Sequence, residues 1–449
     1  MDTQYGGLNK MSNSGLNMSR RIRRTPYTEK VIEAGVSGFT VVNHMLLPKS
    51  YKATVEEDYW HLSKNTQIWD VSCQRQVQII GEDATKLIQL MSPRSIKDMP
   101  IGKCYYYPMI DENAGMINDP VLLKLSENKY WLSVADSDVL LWAKGLAVGR
   151  NFKVDIIEPD IYPLAIQGPK SEELMSSIFG EKIKKLKFFH FSFFEFEGTK
   201  QIIARSGYSK QDGFEIYLKG FSLGKKLWET IWEAGKDFNI SPGCPNLIDR
   251  IEGGLLSYGN EFTLENNPIE CGFDNYCNNL SHDFIGKNAL DNIKKQGVKQ
   301  KLKGVLFDGV DCPPCSIPFP LYSKDNKLIG KITSGIYSPK FKKNIDNVIG
   351  FFHIKDFIKS SQDTFQMSEI IRDVLYVAPK SPILDLLKTM RSSRIHIGLV
   401  VDGVGGVDGL VTIEDLVEEI VGEIEDEHDA EDDEELVYKK SDNSITVDA

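Results

Sequence analysis

The chain has 449 residues, with 53 lysines and arginines against 64 aspartates and glutamates, a net charge of −11. A hydrophobic fraction of 41% and a charged fraction of 26% describe a globular chain long enough for two or three domains. The acidic balance argues against general nucleic-acid binding, which needs a basic face, and no apolar run approaches the roughly 18 residues of a membrane span. Residues 1–24 are polar, with Arg20, Arg21, Arg23 and Arg24 close together and no apolar signal core, so they read as a flexible basic tail on a cytoplasmic protein.

From residue 25 to about 358 strand-like and helical runs interleave. "QVQIIG", "VLLKL", "YWLSVA", "PLAIQG", "QIIARS", "FEIYLKG" and "KLIGKITSG" read as strands, and "EDATKLIQLM" and "GKKLWETIWEAGKDF" as amphipathic helices. The absence of a regular β-α-β alternation predicts an α+β fold. The seven cysteines are scattered, which predicts reduced thiols. Cys312 and Cys315 form the one close pair, but "CPPCSIPFP" reads as an extended loop rather than a helix start. The histidines show no metal-ligand spacing, so no metal is expected.

Three stretches stand out for chemistry. In "IARSGYSKQDGFEIYL", Phe214, Ile216 and Leu218 alternate with Glu215 and Tyr217, so an acid and a phenol share one strand face. That face is either ordinary solvated surface or a ligand site that accepts N–H groups. "GKCYYYPMIDENAGMINDPVLLKL" sets Tyr105, Tyr106 and Tyr107 before a turn, with Asp119 at the head of the next strand. "RIEGGLLSYGNEF" begins as a helix containing Gly253 and Gly254, each costing about 1 kcal/mol against alanine, which calls for close packing or a nearby ligand.

Beyond a linker at 359–366, residues 367–427 read strand, helix, strand, glycine turn, strand, helix. Gly403, Gly405, Gly406 and Gly409 open into the strand "GLVT" and not into a helix, so they predict a hairpin and not a dinucleotide loop. "EIEDEHDAEDDEE" holds ten acids in 13 residues and, with 428–449, reads as an acidic disordered tail.

Taken in order, "IWDVS", "AGMINDPV", "IQGPKS", "RSGYSKQDGFEIYL", "DRIEGGLLSYGNE", "DFIGKNAL" and "GKITSGIYSPKFKKNI" resemble the folate-binding glycine cleavage T-protein family over residues 30–355. The resemblance implies a three-part α+β fold around a tetrahydrofolate channel. It implies that Glu215 holds the pterin, that Asp119 sits near folate N5, and that Tyr106 lines the channel beside Tyr208 and Tyr217. A pterin presents an amino group and a ring N–H side by side, which one carboxylate accepts together. The departures lie elsewhere: Lys210-Gln211 in the Gly-Tyr-Thr-Gly-Glu loop, Asn118 for the first of two turn aspartates, Cys73-Gln74 for His-Met, and Asn246 for an arginine.

"NHMLLP", "WDVSCQRQV", "DENAGMINDP" and "VADSD" resemble the dimethylsulfoniopropionate demethylase branch of that family. This implies methyl transfer from a small sulfonium to tetrahydrofolate, for which Asp119, the catalytic candidate, could orient N5 or take its proton. Asn43, His44, Met45, Trp69 and Ser133 are the candidates on the substrate side. A sulfonium carries no donor proton, so aromatic faces suit it. The alternatives are the aminomethyltransferase reaction of glycine cleavage and a non-catalytic nucleotide-sensing or partner-binding protein. The carboxy-terminal segment resembles half of the paired CBS module of CorC-type proteins, joined where the T-protein-like fold stops early. It implies Thr412 and Asp415 near an adenosine ribose, and self-association through the lone repeat.

Overall fold

The computed structural model describes residues 21–277, 282–298, 300–307, 311–312, 318–322 and 328–346, and beyond them 351–352, 371–372, 375–377, 381–393, 395–401, 407–413, 415–417, 437–441 and 444–447. The linker at 359–366, Cys315, the glycines at 403–406, the acid run at 423–435 and the first 20 residues lie outside the described residues. The chain divides into two compact units, the first ending at Arg372.

Two sheets dominate the first unit. A six-stranded sheet runs in the order β12 (Phe191–Phe196), β13 (Thr199–Ala204), β14 (Gly213–Lys219), β11 (Ile161–Gln167), β3 (Thr66–Asp70), β15 (Ile240–Pro242). The pairings are antiparallel apart from β15 with β3. Phe214, Ile216 and Leu218 point to one face of this sheet, as their alternation requires. There they pack with Leu174 and Met175 of α5 (Ser171–Phe179) and with Leu227, Trp228 and Ile231 of α6 (Gly224–Gly235).

A five-stranded sheet runs in the order β10 (Asp155–Ile157), β4 (Gln76–Ile80), β9 (Lys129–Ser133), β8 (Val121–Ser126), β5 (Cys104–Tyr106). Its outer face, with Val77, Ile79, Leu122 and Leu132, is covered by α3 (Ala84–Leu90) and α4 (Val139–Gly149). The inner faces of the two sheets share one cluster: Cys104, Leu123 and Trp131 meet Ile161, Ile202, Ala204 and Tyr217. β14 is therefore buried on both faces, and Glu215 is only 4% exposed. This excludes the solvated-surface reading of that strand.

Three further features frame the site. β1 (Gly38–Val42) and β2 (Met45–Ser50) form a hairpin whose two-residue turn, Asn43-His44, has φ of 49° and 61°, as a type I′ turn requires. The helix α7 (Leu247–Glu252), capped by the Asn246 side chain on the Ile248 and Asp249 amides, packs Ile248 and Ile251 against Ile336 and Ile345. These last two belong to a small sheet of Val305–Phe307, Lys343–Asp346 and Ile336–Ser338. Arg250 of α7 makes a buried bidentate pair with Glu261 at 3.0 Å and donates to Ser334 Oγ at 2.8 Å. Glu252 accepts from Tyr59 at 2.8 Å and from Ser338 Oγ at 2.5 Å, and pairs with Lys210 at 3.1 Å.

Some expectations are corrected. Gly253 and Gly254 are not inside a helix: α7 stops at Glu252, and Gly254 takes the left-handed φ of +64° that ends it. The end of the basic tail is tied down. The Arg23 amide donates to His44 O at 2.7 Å, and its guanidinium pairs with Glu158 at 2.8 Å. In the second unit Leu375–Val377 pairs parallel with Ile397–Val401, which pairs antiparallel with Val407–Thr412, the expected hairpin. Within the tail expected to be disordered, Val437–Ser441 pairs antiparallel with Ser444–Val447. The acid run has ended there, and Val437, Tyr438, Ile445, Thr446 and Val447 are strand formers.

Candidate active site

The inner face of the six-stranded sheet sets Trp69, Ala165, Glu215 and Ala204 in one row across four strands. The Glu215 Oε2 accepts from Ser206 Oγ at 2.5 Å and from the Tyr217 hydroxyl at 3.5 Å. Ser133 of β9 bonds the Tyr217 hydroxyl from the opposite sheet and accepts from Gln76 at 2.9 Å. Burial pushes the Glu215 carboxyl above its ordinary value; the Ser206 and Tyr217 bonds act against this, and no cation contributes. Cys104, at the edge of the second sheet, adjoins the same carboxylate.

Cys104 and Tyr106 are two residues apart on β5 and face the same way, about 7 Å along the strand. The Tyr106 hydroxyl donates to Asp119 Oδ2. Burial raises the Asp119 carboxyl to about 7, with the Tyr106 bond lowering it and Glu261 raising it further. The Tyr106 ring packs 5.3 Å from Phe273 and 5.5 Å from Tyr276. Tyr208 donates to Leu256 O at 2.7 Å, and its phenol, pushed up to about 12 by burial, senses Arg250, Glu261 and Asp119. Asp119, Tyr106 and Tyr208 thus form one group and Glu215, Tyr217 and Ser133 another, joined along β5.

The remaining candidates are placed differently. Asn43 is buried, donating to Cys73 O at 2.9 Å and Ala135 O at 3.0 Å and accepting from the Ser137 amide at 3.2 Å. Ser137 Oγ in turn accepts from Asn118 at 2.7 Å, so Asn43 braces the segment beside Asp119 from a distance. His44 is exposed at the hairpin tip and Met45 is buried in the β1–β2 pair. Trp69 lies on the Glu215 face but is fully buried with Leu62, Val71 and Ala165, its indole donating to Gln67 at 2.8 Å. Of the three tyrosines, Tyr107 turns into the outer core and donates to Ile88 O. In the second unit Thr412 and Asp415 satisfy each other's amides, at 2.7 and 3.2 Å, as a helix-capping box.

Sequence reasoning missed Ser206, Cys104, Phe273, Tyr276 and Glu261. Ser206 was visible beside Gly207, but its partner depends on the cross-strand pairing of Ala204 with Glu215. Among the described residues no group of three or more His, Cys, Asp or Glu is arranged to hold a metal, and no helix is long and apolar enough to cross a membrane.

Two paired sheets with the inward acid Glu215 on one and Asp119 at the head of a strand of the other, and a third part docked through α7, define an α+β enzyme fold of the aminomethyltransferase class. The glycine cleavage system aminomethyltransferase T from Bartonella henselae has the same fold, with a TM-score of 0.64 over 72% of this chain and 89% of that one at 24% identity. The family signature described as GCVT N-terminal domain matches residues 28–279, and that described as CBS domain matches 367–422. Dimethylsulfoniopropionate demethylase DmdA of Ruegeria pomeroyi is 46% identical over 327 residues, 73% of this chain and 89% of that protein. The aminomethyltransferase of Caldanaerobacter subterraneus subsp. tengcongensis is 34% identical over 284 residues, 62% of this chain and 75% of that one. The chain belongs to the GCVT aminomethyltransferase family.

Proposed function

We propose that residues 25–358 transfer a methyl group from dimethylsulfoniopropionate to tetrahydrofolate, giving 5-methyltetrahydrofolate and 3-(methylthio)propanoate. The observation that carries the folate half of this reading is Glu215, a buried carboxylate with no cation among its described partners. An isolated buried carboxylate is costly, and the paired N–H groups of a pterin offset that cost. The sulfonium half rests on the 46% identity to the demethylase and on the altered positions. Asn246, which stands where the family has an arginine, is committed to capping α7. Cys73 is a buried thiol whose pKa is raised by burial and by Asp70.

The chemistry asks little of the protein beyond alignment and the exclusion of water. The S–CH3 bond breaks with its electron pair going to sulfur, a good leaving group, as the N5 lone pair forms the N5–CH3 bond. The N5 proton passes to Asp119, whose pKa of about 7 suits a base working near neutrality. Tyr106 holds Asp119 in place, and the tyrosine faces near it accommodate the cation.

A cytoplasmic setting goes with this reading, since Cys73, Cys104, Cys244, Cys271 and Cys277 are buried thiols outside any disulfide. The linker at 359–366 and the single CBS repeat at 367–427 complete the proposed organisation, with self-association through a repeat whose helix exposes Ile383 and Leu384. The test is to incubate the purified full chain with tetrahydrofolate and dimethylsulfoniopropionate and identify the folate product by mass. 5-Methyltetrahydrofolate is expected. Formation of 5,10-methylenetetrahydrofolate from an aminomethyl donor, with no reaction of the sulfonium, selects the aminomethyltransferase reading, and neither product selects the non-catalytic one.

A further inference from the structure

Arg94 is a half-buried cation held in place, with no acid paired to it among the described residues. Its guanidinium lies between two aromatic faces, 4.0 Å from the Tyr105 ring and 4.5 Å from the Tyr276 ring, and donates to the Tyr106 carbonyl. Its backbone is pinned as well. The Arg94 amide donates to Ser92 Oγ at 3.1 Å, and Gln89 donates to the Arg94 carbonyl at 3.0 Å. No carboxylate acts on it among the described residues, and burial lowers its pKa from the ordinary arginine value. A guanidinium has five N–H donors in a fixed fork that matches a carboxylate, and here one protein acceptor is present. Lys103 also lies over the Tyr105 ring, at 5.8 Å, and adds a second cation to the neighbourhood.

We propose that Arg94 binds the carboxylates of the glutamate tail of tetrahydrofolate, a subsite that rests on the folate reading given above. Position favours the tail over the other carboxylate in the reaction, the propionate of the sulfonium substrate. Arg94 meets Tyr106 at its carbonyl, while Asp119 meets it at its hydroxyl, so a tyrosine side chain separates the two charged groups. The propionate is only two methylenes from the reacting sulfur and stays near Asp119. The glutamate lies beyond an aromatic ring from the pterin, and Arg94 stacks on Tyr276, whose ring packs 5.5 Å from that of Tyr106, so it stands one aromatic side chain away from Asp119.

The experiment compares tetrahydrofolate with tetrahydropteroate, which keeps the pterin and the aminobenzoate but lacks glutamate. Dissociation constants are measured by titration into the full-length wild type, Arg94→Met, Arg94→Lys and Glu215→Ala, and the KM for dimethylsulfoniopropionate is measured alongside. The wild type is expected to bind tetrahydrofolate about 10- to 150-fold tighter than tetrahydropteroate, the range for a charge-assisted hydrogen bond. Arg94→Met is expected to abolish that preference while leaving tetrahydropteroate affinity unchanged, with Arg94→Lys between the two. Equal wild-type affinities for the two ligands overturn the subsite, as does an equal loss of both in Arg94→Met. A change confined to the sulfonium KM also overturns it, by moving the cation to the substrate. Tetrahydropteroate binding that is lost in Glu215→Ala keeps the folate reading standing if Arg94 fails. A wild type that binds neither ligand removes both.

Discussion

Replacing Glu215 by glutamine changes one atom of the buried strand face and is the sharpest probe of the folate site. Among the described residues only Oε2 takes protein hydrogen bonds, from Ser206 at 2.5 Å and from Tyr217 at 3.5 Å. The other oxygen is left for a ligand. Glutamine keeps the shape but loses the charge: with its carbonyl oxygen toward the ligand its N–H meets Ser206 and Tyr217, whose hydroxyls must turn to accept, and with the amide flipped an N–H faces the ligand's donors. Losing one charge-assisted bond of about 1.5–3 kcal/mol lowers folate affinity roughly 10- to 150-fold. The Trp131 ring lies 6.3 Å from the Tyr217 ring, so intrinsic fluorescence under anaerobic titration reports binding locally. The unliganded protein should not lose thermal stability through the lost charge, because the carboxylate is already disfavoured by burial. Wild-type tetrahydrofolate affinity in Glu215→Gln would refute the assignment of this face.

Asp119→Asn should lower turnover by about 10²- to 10⁴-fold while leaving tetrahydrofolate affinity nearly unchanged, and the rise of rate with pH through about 7 should vanish with it in single-turnover assays. The folded pKa of Asp119 lies above the ordinary carboxylate value, so its contribution to stability is present below about pH 4 and is lost as pH rises through about 7; thermal melts of Asp119→Asn should show a shallower fall over that window. Asn43→Ala removes a side chain that ties Cys73, Ala135 and Ser137, and should destabilise by about 2–3 kcal/mol in urea unfolding. Arg250→Met leaves Glu261 buried without its cation and should cost about 3–5 kcal/mol, with much of it restored by adding Glu261→Leu.

The alternation of Phe214, Ile216 and Leu218 was enough to place Glu215 and Tyr217 together on a strand face. What that face meets was not legible, because Cys104, Leu123 and Trp131 arrive from a second sheet about a hundred residues earlier in the chain. Asn43 and His44 illustrate the opposite case. Two apolar runs flanking an Asn-His pair are a hairpin signature, and the left-handed φ values follow from it. Reading these residues only through a family resemblance hid the turn. Gly253 and Gly254 looked anomalous because the helix was extended past Glu252, where its own stop signal stood. Trp69 shows why an aromatic near a site motif is not thereby exposed to the site: β3 is buried along its whole length.

Ser338 of the small sheet and Ser334 just before it, which bond α7 and its partner acid, also set a timetable for synthesis. Arg250 and Glu261 are 11 residues apart and can pair early, but Ser334 follows Arg250 by 84 residues, and Ser338 follows Glu252 by 86. At about 5–20 residues per second, this leaves α7 waiting roughly 4–17 s for the hydroxyls and apolar side chains that cover it. During that interval Glu252 and Glu261 each lack a hydroxyl donor, and Ile248 and Ile251 are covered on the Tyr59 side but not by Ile336 and Ile345. A nascent chain stalled before Ser334 would thus present a charged, partly apolar helix face to the cell's quality-control machinery, although both large sheets were already complete.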